Sequence, residues 1–262
     1  MYPYDLFLDI DLYTIMLSLG IIAALVTFRI VADRKNFSPK FQNMCIIIGA
    51  VAIVFGYFSA VFFQALYNIE KYGAFKINAQ TGATFYGGLI GGVAIFLILY
   101  FIVGKIVFGR GGEHISQFFE LSEIAAASIA IAHSLGRIGC LMAGCCHGAI
   151  TDKWYGIYMP ALKAKAVPIP LYEALFLAVL FAFFIVRLYR KRSGNLSLYM
   201  IVYGIWRFII EYARDDYRGT TIVPFLTPSQ LIAILMVIGG ILFMMLQIKI
   251  TKRLVQSEKQ NT

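Results

Sequence analysis

Apolar residues gather along the chain in seven long runs, at about 12–32, 43–67, 83–108, 119–139, 169–189, 197–213 and 229–248. A helix needs ~20 residues to cross a bilayer, and each run is long enough, the sixth only narrowly. The pattern predicts an all-α, polytopic membrane protein with seven transmembrane helices. The stretch at about 140–168 is the longest connection. Its Gly144, Gly148, Gly156, Pro160 and Pro168 rule out one regular helix and predict a small element on the outer face. No separate soluble domain, low-complexity tract or clear internal repeat stands out, so residues 1–262 read as a single integral-membrane domain.

Basic residues orient the spans. Arg29, Arg34, Lys35 and Lys40 separate the first two; Lys105 and Arg110 follow the third; Arg187, Arg190, Lys191 and Arg192 follow the fifth; Lys249, Lys252, Arg253 and Lys259 follow the seventh. By the positive-inside rule these loops are cytoplasmic. The N-terminus, with Asp5, Asp9 and Asp11, then lies outside and the C-terminus inside. These first residues lack the basic region of a cleavable signal peptide.

Composition agrees. The chain is 60% hydrophobic and only 14% charged. That is more apolar surface than a soluble domain of this length could hide. Its net charge of +9 reflects cytoplasmic loops and contact with anionic lipid, so no nucleic acid partner is expected.

On this topology the polar residues are one-sided. Tyr13 and Tyr86 open the first and third spans on the outer side. The fourth ends with His133, Ser134 and Arg137, and the fifth starts with Tyr172 and Glu173. The sixth reaches Arg207, Glu211 and Arg214, and the seventh begins with Thr227, Ser229 and Gln230. The cytoplasmic half offers mostly apolar residues and solvated loop charge, with His114 expected to be solvated. An ionisable group at membrane depth costs at least ~2.5–3.5 kcal/mol and marks a functional site by default. Arg207 and Glu211 are four apart on one helix face and able to pair. On their own they also fit an internal ion pair that locks helices together. Arg137 has no partner nearby in sequence, and its guanidinium fork matches a phosphate bidentately.

Gly87, Gly88, Gly91 and Gly92 form overlapping small-residue pairs that let two helices approach closely, and they would also leave room for an acyl chain beside Tyr86. Gly136 and Gly139 flank Arg137 and allow close backbone approach or a helix break. The four cysteines make no disulfide framework. Cys45 reads as a small buried hydrophobe. Cys140, Cys145, Cys146 and His147 are not spaced as a standard zinc site, and adjacent Cys145 and Cys146 do not easily both ligate one ion, so no metal is expected. A nucleophilic cysteine is also considered, since His147 or Arg137 can lower a thiol pKa; small packing residues are the favoured account.

Four stretches taken together resemble the bacterial prolipoprotein diacylglyceryl transferases. The run from His133 through Gly136-Arg137-Ile138-Gly139-Cys140 to Gly148 resembles that family's G-R-x-G-N-x-x-N-G-E signature. Tyr86-Gly87-Gly88-Leu89-Ile90-Gly91 resembles its H-G-G-L-I-G segment, and Pro168 to Glu173 its H-P-S-Q-L-Y-E segment. Tyr203 to Arg214 resembles its Y-G-x-x-R-x-x-x-E-x-x-R segment, and Tyr13 its first-helix tyrosine. The likeness covers nearly the whole chain. It departs where Tyr86 replaces a histidine, Cys140 and Ala143 replace asparagines, Cys145 replaces a glutamate and Val167 replaces a histidine.

The resemblance implies a multi-pass enzyme of the bacterial cytoplasmic membrane whose site faces the outer leaflet. It would transfer the diacylglyceryl group of phosphatidylglycerol to the lipobox cysteine of a preprolipoprotein signal peptide and release glycerol phosphate, without a cofactor. Arg137 and Arg207 would stabilise the leaving phosphate, Glu211 would orient Arg207, and Tyr86 would bind the headgroup or relay a proton. Tyr13, Gly87, Gly88, Gly136, Gly139, Cys140, Gly148, Tyr172 and Arg214 would line the substrate site. The rivals are a related transferase with another acceptor, a lipid transporter, and a redox or metal protein built on the clustered cysteines.

Overall fold

The computed structural model describes residues 4–7, 10–73, 75–78, 81–110, 112–160, 162–215, 223 and 225–260. Asp9 of the acidic N-terminus lies outside the described residues. The elements in chain order are β1 (Asp5–Phe7), β2 (Ile10–Asp11), α1 (Leu12–Arg34), α2 (Pro39–Tyr72), α3 (Phe85–Phe108), α4 (Glu113–Ser116), α5 (Phe118–Ala143), β3 (Ile157–Met159), β4 (Ala164–Ala166), α6 (Ile169–Tyr189), α7 (Asn195–Ile210) and α8 (Pro228–Gln260). A 3-10 turn, Glu211–Ala213, extends α7. Seven of these helices are long and apolar enough to span a membrane, and they coincide with the seven predicted runs. Large apolar side chains on them face outward, among them Ile47, Phe58, Ile98, Ile102, Val179 and Leu242. A water-soluble fold would bury such residues; a bilayer solvates them. The protein is an all-α, multi-pass membrane protein.

Local chemistry sets the helix ends. Asp11 accepts from Thr14 N at 2.8 Å and starts α1, as a capping carboxylate does. Hydrogen bonds from Thr14 hold the Asp11 carboxyl below its usual pKa. α2 begins four residues before its hydropathic run. Ser38 Oγ caps it by accepting from Phe41 N at 3.2 Å, and Pro39 fits the first turn, where a missing N–H costs nothing. Gly73, at φ 69°, ends it in the left-handed conformation that glycine favours. α5 continues past residue 139 through Cys140–Ala143, all compatible with a helix, and stops at Gly144, at φ 71°. Cys140 therefore belongs to α5 and not to the connection that follows. In that connection β3 and β4 form a small antiparallel ladder that pairs Ile157 with Ala166.

The chain divides into two compact units, residues 32–118 and residues 1–31 with 119–262. In the first, α2 and α3 run antiparallel across a glycine seam. A Cβ on Gly88 would meet Ala60 Cβ and Gly56 O at 3.2 Å, and one on Gly91 would collide with Ser59 Oγ. Ser59 Oγ also donates to Gly87 O at 2.8 Å. This is the close-approach role expected of these glycines. Gly91→Leu is expected to overpack the seam and destabilise the protein by about 1–3 kcal/mol; an unchanged thermal midpoint in detergent would contradict that packing.

The same unit corrects one expectation. His114 is not solvated but 1% exposed. Its ring fills the space that Gly104 leaves without a Cβ, between Tyr100 and Phe108, and its carbonyl accepts the Tyr100 hydroxyl. Cys45 is buried, as expected.

In the other unit, α7 and α8 pack antiparallel where Gly204 and Gly240 admit the facing backbones, at Ala233 O and Ser197 O, each 2.9 Å from a Cβ placed there. α1 reaches α5 at Gly20 and Gly139, which abut Ala132 O and Tyr13. The end of this unit expected to be apolar holds a second correction. Buried Glu123 accepts from Gly194 N at 2.7 Å, Asn195 N at 2.6 Å and Gln247 Nε2 at 2.7 Å. Its carboxylate caps the N-terminus of α7, where the helix dipole favours negative charge.

Candidate functional site

At the opposite end of that unit three arginines converge on one carboxylate. Arg137 comes from the last turns of α5, Glu173 from the first turns of α6, and Arg207 from the last turn of α7. Glu211 opens the 3-10 turn, and Arg214 follows it with extended backbone. The short α6–α7 connection and the longer 144–168 stretch, which turns α5 back into α6, leave these terminal turns side by side.

Glu173 is the hub and is fully buried. Its Oε2 lies 3.2 Å from Arg137 Nε and 3.7 Å from Arg214 Nη1, and its Oε1 lies 3.7 Å from Arg207 Nη1. Arg207 Nη2 pairs with Glu211 Oε2 at 2.6 Å, the spacing of four that one helix face brings together. Arg207 Nη2 also donates to Ser229 Oγ at 2.9 Å, and Thr227 Oγ1 donates to Glu211 Oε1 at 2.9 Å. Arg214 Nε lies 3.9 Å from Glu211 Oε2.

Three guanidinium groups thus face two carboxylates among the described residues, a net excess of one positive charge in an apolar surrounding. Arg137 Nε and Arg207 Nη1 are buried and make no hydrogen bond, although each faces a Glu173 oxygen. Buried donors without aligned acceptors are where the oxygens of a ligand or water fit. The Arg137 side chain is 12% exposed, against 4% for Arg207 and 2% for Arg214, so Arg137 is the most exposed of the three cations. Beside it, a Cβ placed on Gly136 would meet no atom within 4 Å, so open space lies there.

An aromatic relay backs the hub. Tyr203 Oη donates to Glu173 Oε1 at 3.4 Å and lies 3.4 Å from His133 Nε2; His133 Nδ1 lies 3.1 Å from Tyr199 Oη.

The other candidates fall in several places. Tyr13 packs on Gly139, where an added Cβ would meet its ring at 3.2 Å. Gly148 is held against Ala213 O and Val167, and it bridges to Arg214 through the backbone. Tyr172 is half-buried at the start of α6, next to the hub. Tyr86, also half-buried, sits in the first turn of α3 within the 32–118 unit, beside Gly87 and Gly88.

Sequence reasoning puts Glu173 on the outer side but leaves it out of the site, and it leaves out Tyr203 and His133 as well. The signal for Glu173 is present in the chain: a carboxylate inside an apolar span, like Glu211.

Of the clustered cysteines, Cys140 and Cys146 are half-buried and Cys145 is exposed. The sulfurs of Cys140, Cys145 and Cys146 all lie within 4.8 Å of one another. The neighbouring Cys140 and Cys145 thiols, with Arg214 alongside, push the Cys146 thiol below its usual pKa. The Cys145 thiol donates to Cys140 O at 3.5 Å, and the adjacent Cys140 and Cys146 thiols push it up.

Comparison with known proteins agrees with the family resemblance. Residues 4–246 match the sequence model of the prolipoprotein diacylglyceryl transferases. The chain is 30% identical over 243 residues to phosphatidylglycerol–prolipoprotein diacylglyceryl transferase 2 of Clostridium perfringens (strain 13 / Type A), covering 90% of each chain. It is 30% identical to the corresponding transferase of Clostridium tetani, covering 91% of this chain and 94% of the relative, and 29% identical to that of Finegoldia magna, covering 97% and 96%. With the match running from the first span into the seventh, the chain belongs to the prolipoprotein diacylglyceryl transferase family.

Proposed function

We propose that this protein transfers the diacylglyceryl group of phosphatidylglycerol to the lipobox cysteine thiol of preprolipoproteins, with glycerol phosphate as the second product. The convergence of Arg137, Arg207 and Arg214 on Glu173 within the membrane-spanning unit carries this reading. In the reaction a thiolate sulfur bonds to the glycerol carbon, the carbon–oxygen bond to phosphate breaks, and the phosphate monoester departs with the electron pair. Positive charge already in place stabilises that departing phosphate without reorganisation. Arg137, the more exposed cation, meets the phosphate first; Arg207, oriented by Glu211 and Ser229, supports it from behind. Glu173 offsets the repulsion among the three guanidinium groups before lipid arrives.

The site faces the outer leaflet in this reading. Arg187, Arg190, Lys191 and Arg192 lie at the far end of α6 from Glu173, and the positive-inside rule assigns that end to the cytoplasm. Translocated signal peptides present their cysteine on the outer side, where the phospholipid headgroup also lies. Tyr13, Gly136, Gly139, Cys140, Gly148 and Tyr172 are assigned to the substrate site in this reading, supported by Gly139 packing on Tyr13 and Gly148 bridging to Arg214. Tyr86, Gly87 and Gly88 are assigned to substrate handling on the family resemblance alone.

The test is incubation of the purified full chain with phosphatidylglycerol vesicles and a synthetic lipobox peptide. The peptide should gain one diacylglyceryl group in a thioether, and glycerol phosphate should appear in equal amount. Consumption of phosphatidylglycerol with no change in the peptide would assign a different acceptor. Tyr86→Phe should slow transfer by about 10²–10⁴-fold if its hydroxyl moves the proton, the range general acid–base catalysis supplies. An unchanged rate would assign Tyr86 to packing.

A further inference from the structure

The family signature carries asparagine, asparagine and glutamate where this chain has Cys140, Ala143 and Cys145, and a third thiol, Cys146, follows. None of the three thiols is in a disulfide. Adjacent side chains on extended backbone point to opposite faces, so two neighbouring cysteines do not ordinarily share a site. Here the backbone overcomes that. α5 ends with Gly144 N donating to Leu141 O and Cys145 N to Cys140 O, both at 3.1 Å, the paired bonds of a Schellman turn. Gly144, at φ 71°, and Cys146, at φ 61°, then both take the left-handed conformation on either side of Cys145. Left-handed backbone is rare for a cysteine, and strained residues of this kind cluster at functional sites. Its effect is to swing both sulfurs back toward Cys140 in the last turn of the helix.

We propose that Cys140, Cys145 and Cys146 form a three-thiolate binding site for one thiophilic metal ion of the zinc or copper(I) class. The sulfurs lie within 4.8 Å of one another. Metal–sulfur bonds of ~2.3 Å would hold them roughly 4 Å apart, a contraction that side-chain rotation supplies. Thiolates are the donors such ions prefer over oxygen. The charge balance fits as well. Three thiolates around a divalent ion such as zinc leave one negative charge, and the cation Arg214 is paired through its backbone with Gly148, two residues beyond Cys146. His147 is turned away, its Nδ1 lying 2.9 Å from Gly148 O, so three protein donors leave a fourth position. Cys145 is exposed, which gives an ion a way in. Ion binding at these thiols does not depend on the transferase reading.

The experiment uses the full chain in detergent, reduced, stripped with chelator and titrated with Cd²⁺ alone. One equivalent should bind, with an ultraviolet thiolate-to-metal absorption band. Intact-mass counting should find that Cd²⁺ protects Cys140, Cys145 and Cys146 from maleimide. Cys140→Ser or Cys145→Ser should weaken binding by more than about tenfold, the least that losing even an outer partner of a metal site costs. Cys45→Ser should change nothing. Equal alkylation of every thiol with and without Cd²⁺ would overturn the proposal in the unaltered protein, whatever the variants do. Equally tight binding by a protein with all three replaced by Ser would mark the ion as adventitious and overturn it too.

Discussion

Arg137→Ala is expected to reduce diacylglyceryl transfer at least about a hundredfold while the protein still inserts and remains monodisperse in detergent. Removing one preorganised donor from a site of developing negative charge costs ~10²–10³ in turnover. Arg137 is the cation to remove because its Nε is buried without a hydrogen bond while its side chain is the most exposed of the three. Arg137→Lys should recover only part of the rate, since an ammonium is a point charge and cannot present two parallel donors to a phosphate. Initial rates with a lipobox peptide and phosphatidylglycerol vesicles check both variants. Transfer by Arg137→Ala at the unaltered rate would leave Arg137 as a helix-locking ion-pair partner.

Glu173→Gln acts on the other side of the balance. The amide is close in shape but removes the one charge that faces all three arginines. Breaking a buried ion pair by neutralising one partner costs about 3–5 kcal/mol, because the remaining charge is stranded. The expected result is a large fall in resistance to unfolding in detergent, with α5, α6 and α7 losing their common anchor. Bound phosphatidylglycerol should restore part of the loss, because its phosphate supplies the missing negative charge to the same guanidinium groups. Loss that lipid does not relieve would make Glu173 a structural link only.

Much of the fold is legible in the sequence because the bilayer imposes a simple grammar. Hydropathic runs of fixed length mark every span, and flanking signals refine them: Ser38 and Pro39 start α2 early, and Gly144 ends α5 late. Arg137, Arg207 and Glu211 stand out because charge in an apolar run is costly, and Arg137 has no partner nearby in sequence to explain it. Glu173 obeys the same rule, yet its role depends on which helices neighbour α6, and hydropathy carries no such information. Glu123 is hidden for a like reason: its partners Gly194, Asn195 and Gln247 are far away along the chain. His114 sits in a polar-looking connection, and only the missing Cβ of Gly104 creates its buried niche. The thiol cluster turns on the sign of φ at Cys146, a non-glycine residue, which composition and spacing do not encode.

The most direct measurement is a structure of the full chain in a lipid nanodisc of phosphatidylglycerol that resolves a headgroup. The expected result is a phosphate with oxygens within about 3 Å of the guanidinium groups of Arg137 and Arg207. A headgroup bound elsewhere, with both arginines still closed onto Glu173 and out of reach of lipid, would contradict the role given to them.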